Sequence, residues 1–133
     1  MLKDSAVKNI LVPTDFSEFA RTASDLAVWL AKRGQGKVTF FHALADFRER
    51  MAALPDLEQW TTAGADFSKV AESVRADVDK RLAKVAARYT KTGVVVGGKC
   101  VFGKTFVEAI HAVQTQGFDL VVIGTRGENA IKR

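Results

Sequence analysis

The sequence contains little cysteine and no long apolar run. Its single cysteine, Cys100, excludes a disulfide within the chain and is typical of proteins that stay in the reducing cytoplasm. No stretch approaches the ~20 consecutive apolar residues that span a bilayer. Residues 1–8 carry Lys3, Asp4 and Lys8 where a signal peptide would have an apolar segment. We therefore expect a cytoplasmic protein that makes no contact with a membrane.

The motifs of several common enzyme classes are absent as well. The sequence has no G-x-G-x-x-G after its first apolar run, no G-x-x-x-x-G-K-[ST] and no G-x-S-x-G. It therefore lacks the NAD fingerprint, the phosphate loop of the usual nucleotide triphosphatases and the nucleophile elbow of hydrolases. His42, Cys100 and His111 do not have the spacing of metal ligands. These absences argue against a dedicated catalyst.

Composition and charge place the chain among ordinary globular proteins. Hydrophobic residues make up 47% of its 133 residues and charged residues 26%, and this length is typical of one domain. We interpret residues 1–133 as a single domain. The net charge of +5 suits an anionic ligand or weak contact with nucleic acid, although surface lysines alone would produce it. No basic stripe with interleaved aromatic residues is present, so nucleic-acid binding is not expected.

Apolar runs and amphipathic segments alternate along the chain. Short apolar or β-branched runs predict strands, helical spacing predicts helices, and Gly or Pro marks most boundaries. The predicted strands are 8–12, 37–44, 94–101 and 119–124; one helix follows the possible caps Thr14, Asp15 and Ser17, and two more cover 67–89 and 105–115. Segment 46–66 is less regular. It is either a lid or partner-contact segment or a loop folded on its own core.

Several details of the pattern make specific predictions. The apolar face of the first helix consists of Phe19, Ala23, Leu26, Ala27 and Leu30, and that of the third of Phe106, Val107, Ile110 and Val113. The glycine pair at 97–98 indicates a bulge or bend in its strand. His42 is interpreted as a hydrogen-bonded core residue and His111 as a surface residue. Cys100 is interpreted as a packed thiol in preference to one activated by Lys99.

The alternation of elements predicts an α/β fold. Strands that are apolar on both faces and alternate with helices form parallel sheets covered on both sides, joined by right-handed crossovers. We therefore predict a three-layer α/β/α, Rossmann-like open parallel sheet. In such sheets, ligands bind beyond the carboxyl ends of the strands, where the winding direction reverses.

Two of these carboxyl ends carry residues that suit a ligand. Asp15 follows the first strand and precedes a helix, so its carboxylate is placed to cap that helix, to bind a ribose hydroxyl or to help hold a divalent ion beside phosphates. Gly124 and Gly127 follow the fourth strand, where their backbone amides can approach a phosphate. Arg126, between them, can add a charged contact. Glycine pairs are common in such turns without any ligand, so this motif alone is weak evidence.

Several segments together resemble the universal stress protein family. They are residues 9–18 (NILVPTDFSE), 41–43 (FHA), 101–103 (VFG) followed by 108–110 (EAI), and 119–127 (DLVVIGTRG). They occur in the family's order across nearly the whole chain, and the first and last are the more specific. The resemblance implies a parallel sheet of order 3-2-1-4-5 and, in one subgroup, ATP binding.

The resemblance also implies ligand contacts at particular positions. The matched positions are Pro13, Thr14, Asp15, Ala43, Gly124 and Gly127. Asp15 matches an aspartate near the ribose, the phosphates and the metal, and the two residues before it line the pocket. Ala43 matches a backbone position that meets the adenine, and the two glycines match the first half of a phosphate motif, G-x-x-G-x9-G-[ST]. The implied cofactor is ATP, with a Mg²⁺ or Mn²⁺ ion held indirectly by Asp15.

The sequence departs from this pattern after Gly127. The second half of the phosphate motif would fall beyond Arg133, so residues 1–133 lack the last helix and the fifth strand, either because the protein is truncated or because a further segment follows. The expected sheet order is 3-2-1-4(-5). Residues 120–123 would then form an apolar edge that invites pairing with another chain. The resemblance implies a homodimer or another homo-oligomer, weakened or rerouted where the fifth strand is lost.

Two functions are consistent with these observations. The first is a cytoplasmic stress-response sensor or switch that binds ATP or another adenine nucleotide, which orders residues 124–127 and segment 46–66. Because Asp15 is the one evident general base, at most weak ATP hydrolysis is expected. The second is an interaction or dimerisation module of the same fold that binds no nucleotide.

Overall fold

Strands and helices alternate along the chain in the predicted order. The computed structural model describes residues 7–44 and 67–125. Its elements are β1 (Asn9–Pro13), α1 (Glu18–Gly34), β2 (Lys37–Leu44), α2 (Phe67–Ala87), a 3₁₀ turn (Thr90–Thr92), β3 (Val95–Phe102), α3 (Thr105–Gln116) and β4 (Leu120–Val121). The lid or loop interpretation of segment 46–66 concerns residues outside the described ranges. No helix within those ranges is long and apolar enough to cross a bilayer.

The strands form one parallel sheet in the order β3-β2-β1-β4. This order confirms the predicted α/β class and the 3-2-1-4 arrangement. The predicted fourth strand, 119–124, is much shorter in the structure, because only Leu120 and Val121 pair with β1. One further hydrogen bond, from the Val122 amide to the Leu11 carbonyl at 3.0 Å, continues the contact past the strand. Contact with β1 therefore fixes the position of the chain up to Val122, two residues before Gly124.

The glycine pair in β3 does not produce the predicted bulge. All eight residues of β3 pair in register with β2, from Val95 opposite Lys37 to Phe102 opposite Leu44. Gly98 instead permits the close approach of α2, because a Cβ atom there would lie 2.8 Å from the Leu82 Cβ atom. Close packing of α2 on β3 thus explains why residue 98 is a glycine.

Helix α1 packs on the sheet through small residues, and the predicted apolar face is only partly correct. Its buried positions are Ala20, Ala23, Ser24, Ala27, Val28 and Ala31. Phe19 and Leu26 are instead 44% and 50% exposed. The small side chains let the helix axis approach β1 and β2, so the large residues of the predicted face lie at the margin of the contact.

Helices cover the sheet unequally on its two faces. The core on the α1–α2 face includes Val12, Phe40, Leu82, Val85 and Tyr89. The core on the α3 face is smaller and consists of Leu11, Phe41, Ala43, Ala109 and Ala112. The predicted apolar face of α3 is therefore largely wrong. Phe106, Val107 and Ile110 are 58–68% exposed, because α3 contacts the sheet through its alanines.

Candidate functional site

A cavity of about 230 Å³ opens at the carboxyl edge of the sheet. The chain leaves β1 through α1 towards β2 and returns from β3 through α3 to β4 on the other side of β1. The winding direction thus reverses between β1 and β4, which is where open α/β sheets bind ligands. The cavity is lined by Pro13, Thr14, Asp15, Ala20, His42, Thr105, Phe106, Ile123 and Gly124.

The loop after β1 holds its polar groups in a tight arrangement. The Thr14 amide donates to the Phe41 carbonyl at 2.7 Å, which extends the pairing of β1 with β2. The Thr14 hydroxyl oxygen accepts from the Phe16 amide at 3.0 Å, and Phe16 adopts a positive φ of 67°. Non-glycine residues adopt this conformation only when the surrounding structure holds them in it. The loop is therefore fixed on both sides of Asp15.

Asp15 lines the cavity without serving as the cap of α1. Its Oδ1 atom accepts from the Ser17 amide at 2.9 Å, which is an Asx turn. The helix cap is Ser17, whose hydroxyl accepts from the Ala20 amide at 3.2 Å. Of the roles open to Asp15 from sequence, helix capping is therefore wrong. The Asx turn holds the carboxylate beside the first turn of α1.

His42 contributes an imidazole ring to the cavity wall. Its Nδ1 atom lies 2.7 Å from the Thr14 carbonyl oxygen. Because a carbonyl only accepts hydrogen bonds, Nδ1 carries the proton, and Nε2 is left as an acceptor in the neutral ring. The Phe16 ring lies 5.0 Å from the His42 ring. The hydrogen bond predicted for His42 is confirmed, but the residue is half-buried at the site instead of enclosed in the core.

Gly124 is required for a close contact between the end of β4 and α1. A Cβ atom at this position would lie 2.7 Å from the Phe19 carbonyl oxygen and 2.8 Å from the Phe19 carbonyl carbon. Backbone atoms cannot move away as a flexible side chain can, so any other residue would displace β4 from α1. The glycine predicted for phosphate binding is thus needed by the fold itself.

Three other predicted positions have different outcomes. Ala43 is buried in the smaller core, pairs with Val101 and is not among the residues that line the described cavity. Arg126 and Gly127 lie outside the described residues. Their assignment to a phosphate loop stays a prediction.

Sequence reasoning missed several residues of the cavity wall. Thr105 and Phe106 come from the start of α3, and Ile123 precedes Gly124. Helical spacing predicts a core face for Phe106, yet it is 68% exposed beside the cavity. Gly103 is the signal that could have located Phe106. It lies in the turn after β3, and this turn brings the start of α3 to the carboxyl edge of the sheet. The aromatic ring and Ile123 provide the apolar surface on which a planar ring system can pack.

Charge at the cavity is limited to one carboxylate among the described lining residues. That carboxylate belongs to Asp15, and no cationic side chain lines the cavity in residues 7–44 and 67–125. The same ranges contain no group of three or more side chains suited to hold a metal ion. One carboxylate nevertheless fits Mg²⁺, which protein sites often bind with one or two carboxylates together with substrate phosphates.

Cys100 and His111 play no part in this cavity. The Cys100 thiol is 2% exposed, and burial raises its pKa above the usual value. The predicted packed thiol is confirmed, since an activated thiol has a lowered pKa. His111 is exposed on α3, as expected.

Comparison with known proteins identifies the family. Residues 6–133 match the model of the universal stress protein family. This chain is a member of that family. No curated protein gives a significant match.

Solved structures support the family fold. Hypothetical protein MJ0577, the subject of a structure-based assignment of biochemical function, has a TM-score of 0.74 at 19% identity, over 96% of this chain and 81% of that one. A universal stress family protein from Burkholderia pseudomallei has a TM-score of 0.68 at 25% identity, over 91% and 83%. A universal stress protein in complex with cAMP has a TM-score of 0.57 at 19% identity, over 88% and 75%.

Proposed function

We propose that the carboxyl-edge cavity of this universal stress protein binds an adenine nucleotide. The observation that carries the proposal is the meeting of the Pro13–Asp15 loop with Gly124 at the point where the winding reverses. A ring system has Phe106 and Ile123 to pack against, and Asp15 lines the same cavity, where its carboxylate would meet sugar hydroxyls or a metal ion. The structural relative in complex with cAMP supports the same ligand class.

The negative charge of Asp15 restricts how this residue can contact an anionic ligand. An anionic ligand beside a carboxylate is repelled unless a cation lies between them. We therefore propose that Mg²⁺ or Mn²⁺ links Asp15 to the phosphates of ATP, with contact to the ribose as the alternative role. The metal would supply charge neutralisation, while Asp15 positions it and His42 fixes the Thr14 backbone. Gly124, Arg126 and Gly127 would approach the phosphates.

The proposed activity is that of a sensor or switch. Cavity residues come from α1, α3 and the end of β4, so a bound nucleotide would favour one relative position of these elements and thereby change the surface offered to a partner. His42 also lines the cavity, but its Nδ1 atom is held by the Thr14 carbonyl, and no second carboxylate adjoins Asp15 among the described lining residues. Weak ATP hydrolysis is the most that this arrangement supports.

A second candidate function is a module for protein interaction. Phe106, Val107 and Ile110 form an exposed apolar surface on α3, and exposed apolar patches mark interaction sites. For either function, we propose that the protein lies in the cytoplasm, that residues 1–133 form one domain and that the protein assembles into homo-oligomers. If the protein is only an interaction module, nucleotides will bind nowhere on it.

The Asp15→Asn variant tests the nucleotide proposal by calorimetry. Asparagine keeps the Oδ1 acceptor for the Ser17 amide but removes the charge, so the loop should be retained. We expect the affinity for ATP with Mg²⁺ to fall at least about tenfold, as for loss of a charged contact of about 1.4 kcal/mol or more. The affinity for cAMP, which lacks a polyphosphate chain, should fall less if Asp15 acts through the metal.

The Asp77→Asn variant is the matched control. Asp77 is an exposed carboxylate on α2, away from the cavity, so this variant should bind ATP as the wild type does. Equal ATP affinity for the Asp15→Asn variant and the wild type would remove Asp15 from the site. Absence of ATP binding by the wild type would favour the interaction module.

A further inference from the structure

A second cavity, of about 240 Å³, lies between α1 and α2. Four cationic side chains line it: Arg21 from α1, and Arg81, Lys84 and Arg88 from α2 and the residue after it. Ser17 and Phe16 form the wall nearest to the carboxyl-edge cavity. No carboxylate is among the lining residues of this second cavity.

Helical spacing brings the α2 cations to one side of that helix. Residues 81, 84 and 88 are separated by three and four positions, so they lie on the same face. The Arg81 guanidinium lies 4.1 Å from the centre of the Phe16 ring, which holds it against the loop after β1. Arg21 faces this group from α1 across the cavity. The four charges therefore converge from two elements instead of spreading along one.

The cations that line this cavity repel one another, and this repulsion favours the binding of an anion. Like charges on neighbouring turns of a helix, as in Arg81 and Lys84, repel one another. The negative end of the α2 dipole favours cations in its last turn, but Arg21 lies in the early part of α1, where the dipole disfavours a cation. The carboxylate of Asp25, which accepts from the Tyr89 hydroxyl at 2.6 Å, offsets part of this repulsion but does not line the cavity. An anion in the cavity would neutralise the repulsion.

We propose that this cavity is a second anion-binding site, which takes a small molecule with two linked phosphoryl groups. The four positive charges of the lining suit the several negative charges of a diphosphate group. Arginine forks bind phosphate oxygens in pairs, and Lys84 adds a point charge. Ser17, the cap at the positive end of α1, lines the same space.

The site is separate from the proposed nucleotide cavity, although the two are adjacent. The Phe16 ring adjoins both, because it lies 5.0 Å from the His42 ring and 4.1 Å from the Arg81 guanidinium. Asp15 lines the first cavity and Ser17 the second. Occupancy of the second site does not depend on the proposed nucleotide binding.

Inorganic pyrophosphate, titrated into the ¹⁵N-labelled full chain without divalent metal, tests the proposal. We expect saturable shifts of the backbone amides of Ser17, Arg21 and Lys84, with weaker binding at higher salt. The double variant Arg81→Gln, Lys84→Gln should weaken the affinity at least about tenfold, because it removes two charged contacts.

The double variant Lys80→Gln, Lys91→Gln is the matched control. It removes the same charge from exposed positions that do not line the cavity, so its affinity should stay within about twofold of the wild type. Equal weakening by both double variants would show general attraction and would overturn the proposal. So would shifts confined to Thr14 and Gly124, or a titration that does not saturate. The ATP affinity of the Arg81→Gln, Lys84→Gln variant is measured separately, so that failure of the pyrophosphate site can be distinguished from failure of the nucleotide site.

Discussion

The two faces of the sheet differ in what they bury and in what they leave exposed. On the α1–α2 face, large side chains such as Phe40, Leu82 and Tyr89 are enclosed between two helices and the strands. On the α3 face, a helix with two buried alanines covers a smaller core, and Phe106 stays exposed beside the cavity. The first face thus supplies most of the stability, while the second leaves apolar surface at the candidate binding site.

Paired truncations on the two faces should show the largest difference. Leu82 is 1% exposed and Ile110 is 58% exposed. We expect Leu82→Ala to lower the free energy of unfolding by about 2–5 kcal/mol, because it leaves a cavity in the core. Ile110→Ala should change it by less than about 0.5 kcal/mol. Urea unfolding followed by circular dichroism measures both, and similar losses would show that α3 buries far more than the structure indicates.

A pair of glycine variants separates stability from binding. A Cβ atom at Gly124 would lie 2.7 Å from the Phe19 carbonyl oxygen, and one at Gly36 would lie 2.5 Å from the Lys8 carbonyl oxygen. Both alanine variants should lose about 1–3 kcal/mol of unfolding free energy, because the backbone must shift. Only Gly124→Ala changes the carboxyl-edge cavity.

Calorimetry of the folded glycine variants completes this comparison. The Gly124→Ala variant should bind ATP at least about tenfold more weakly, as expected when a contact of about 1.4 kcal/mol is lost. The Gly36→Ala variant should retain the wild-type affinity. If both variants bind ATP equally well, the end of β4 does not form part of the nucleotide site.

Much of the fold could be predicted from the sequence, because boundaries and periodicity are local signals. The bounds of β2, 37–44, are the same in sequence and structure, since Gly36 precedes a continuous β-branched and aromatic run. The buried faces of α1 and α3 could not be predicted in the same way. Hydrophobicity favoured Phe19 and Phe106 for the core, whereas the close approach of helix to sheet buried Ala20 and Ala109 in their place.

The candidate site, like the fold, could be predicted only in part from the sequence. The rule that ligands bind at the carboxyl ends of strands located Pro13–Asp15 and Gly124. The contributions of Thr105 and Ile123 depend on how α3 and β4 sit on the sheet, which no local pattern reveals. The cationic cavity was hidden for the same reason, because Arg21 and Arg81 are separated by 60 positions and meet only in the folded chain.

Mapping ATP onto the full chain by nuclear magnetic resonance tests the central claim most directly. The ¹⁵N-labelled protein is titrated with ATP and Mg²⁺, and the shift of each backbone amide is followed to saturation. The account predicts that the largest shifts occur at Thr14, Asp15, Thr105 and Gly124, around the carboxyl-edge cavity. Saturating shifts elsewhere that leave these four amides unchanged, or no shifts at all, would contradict it.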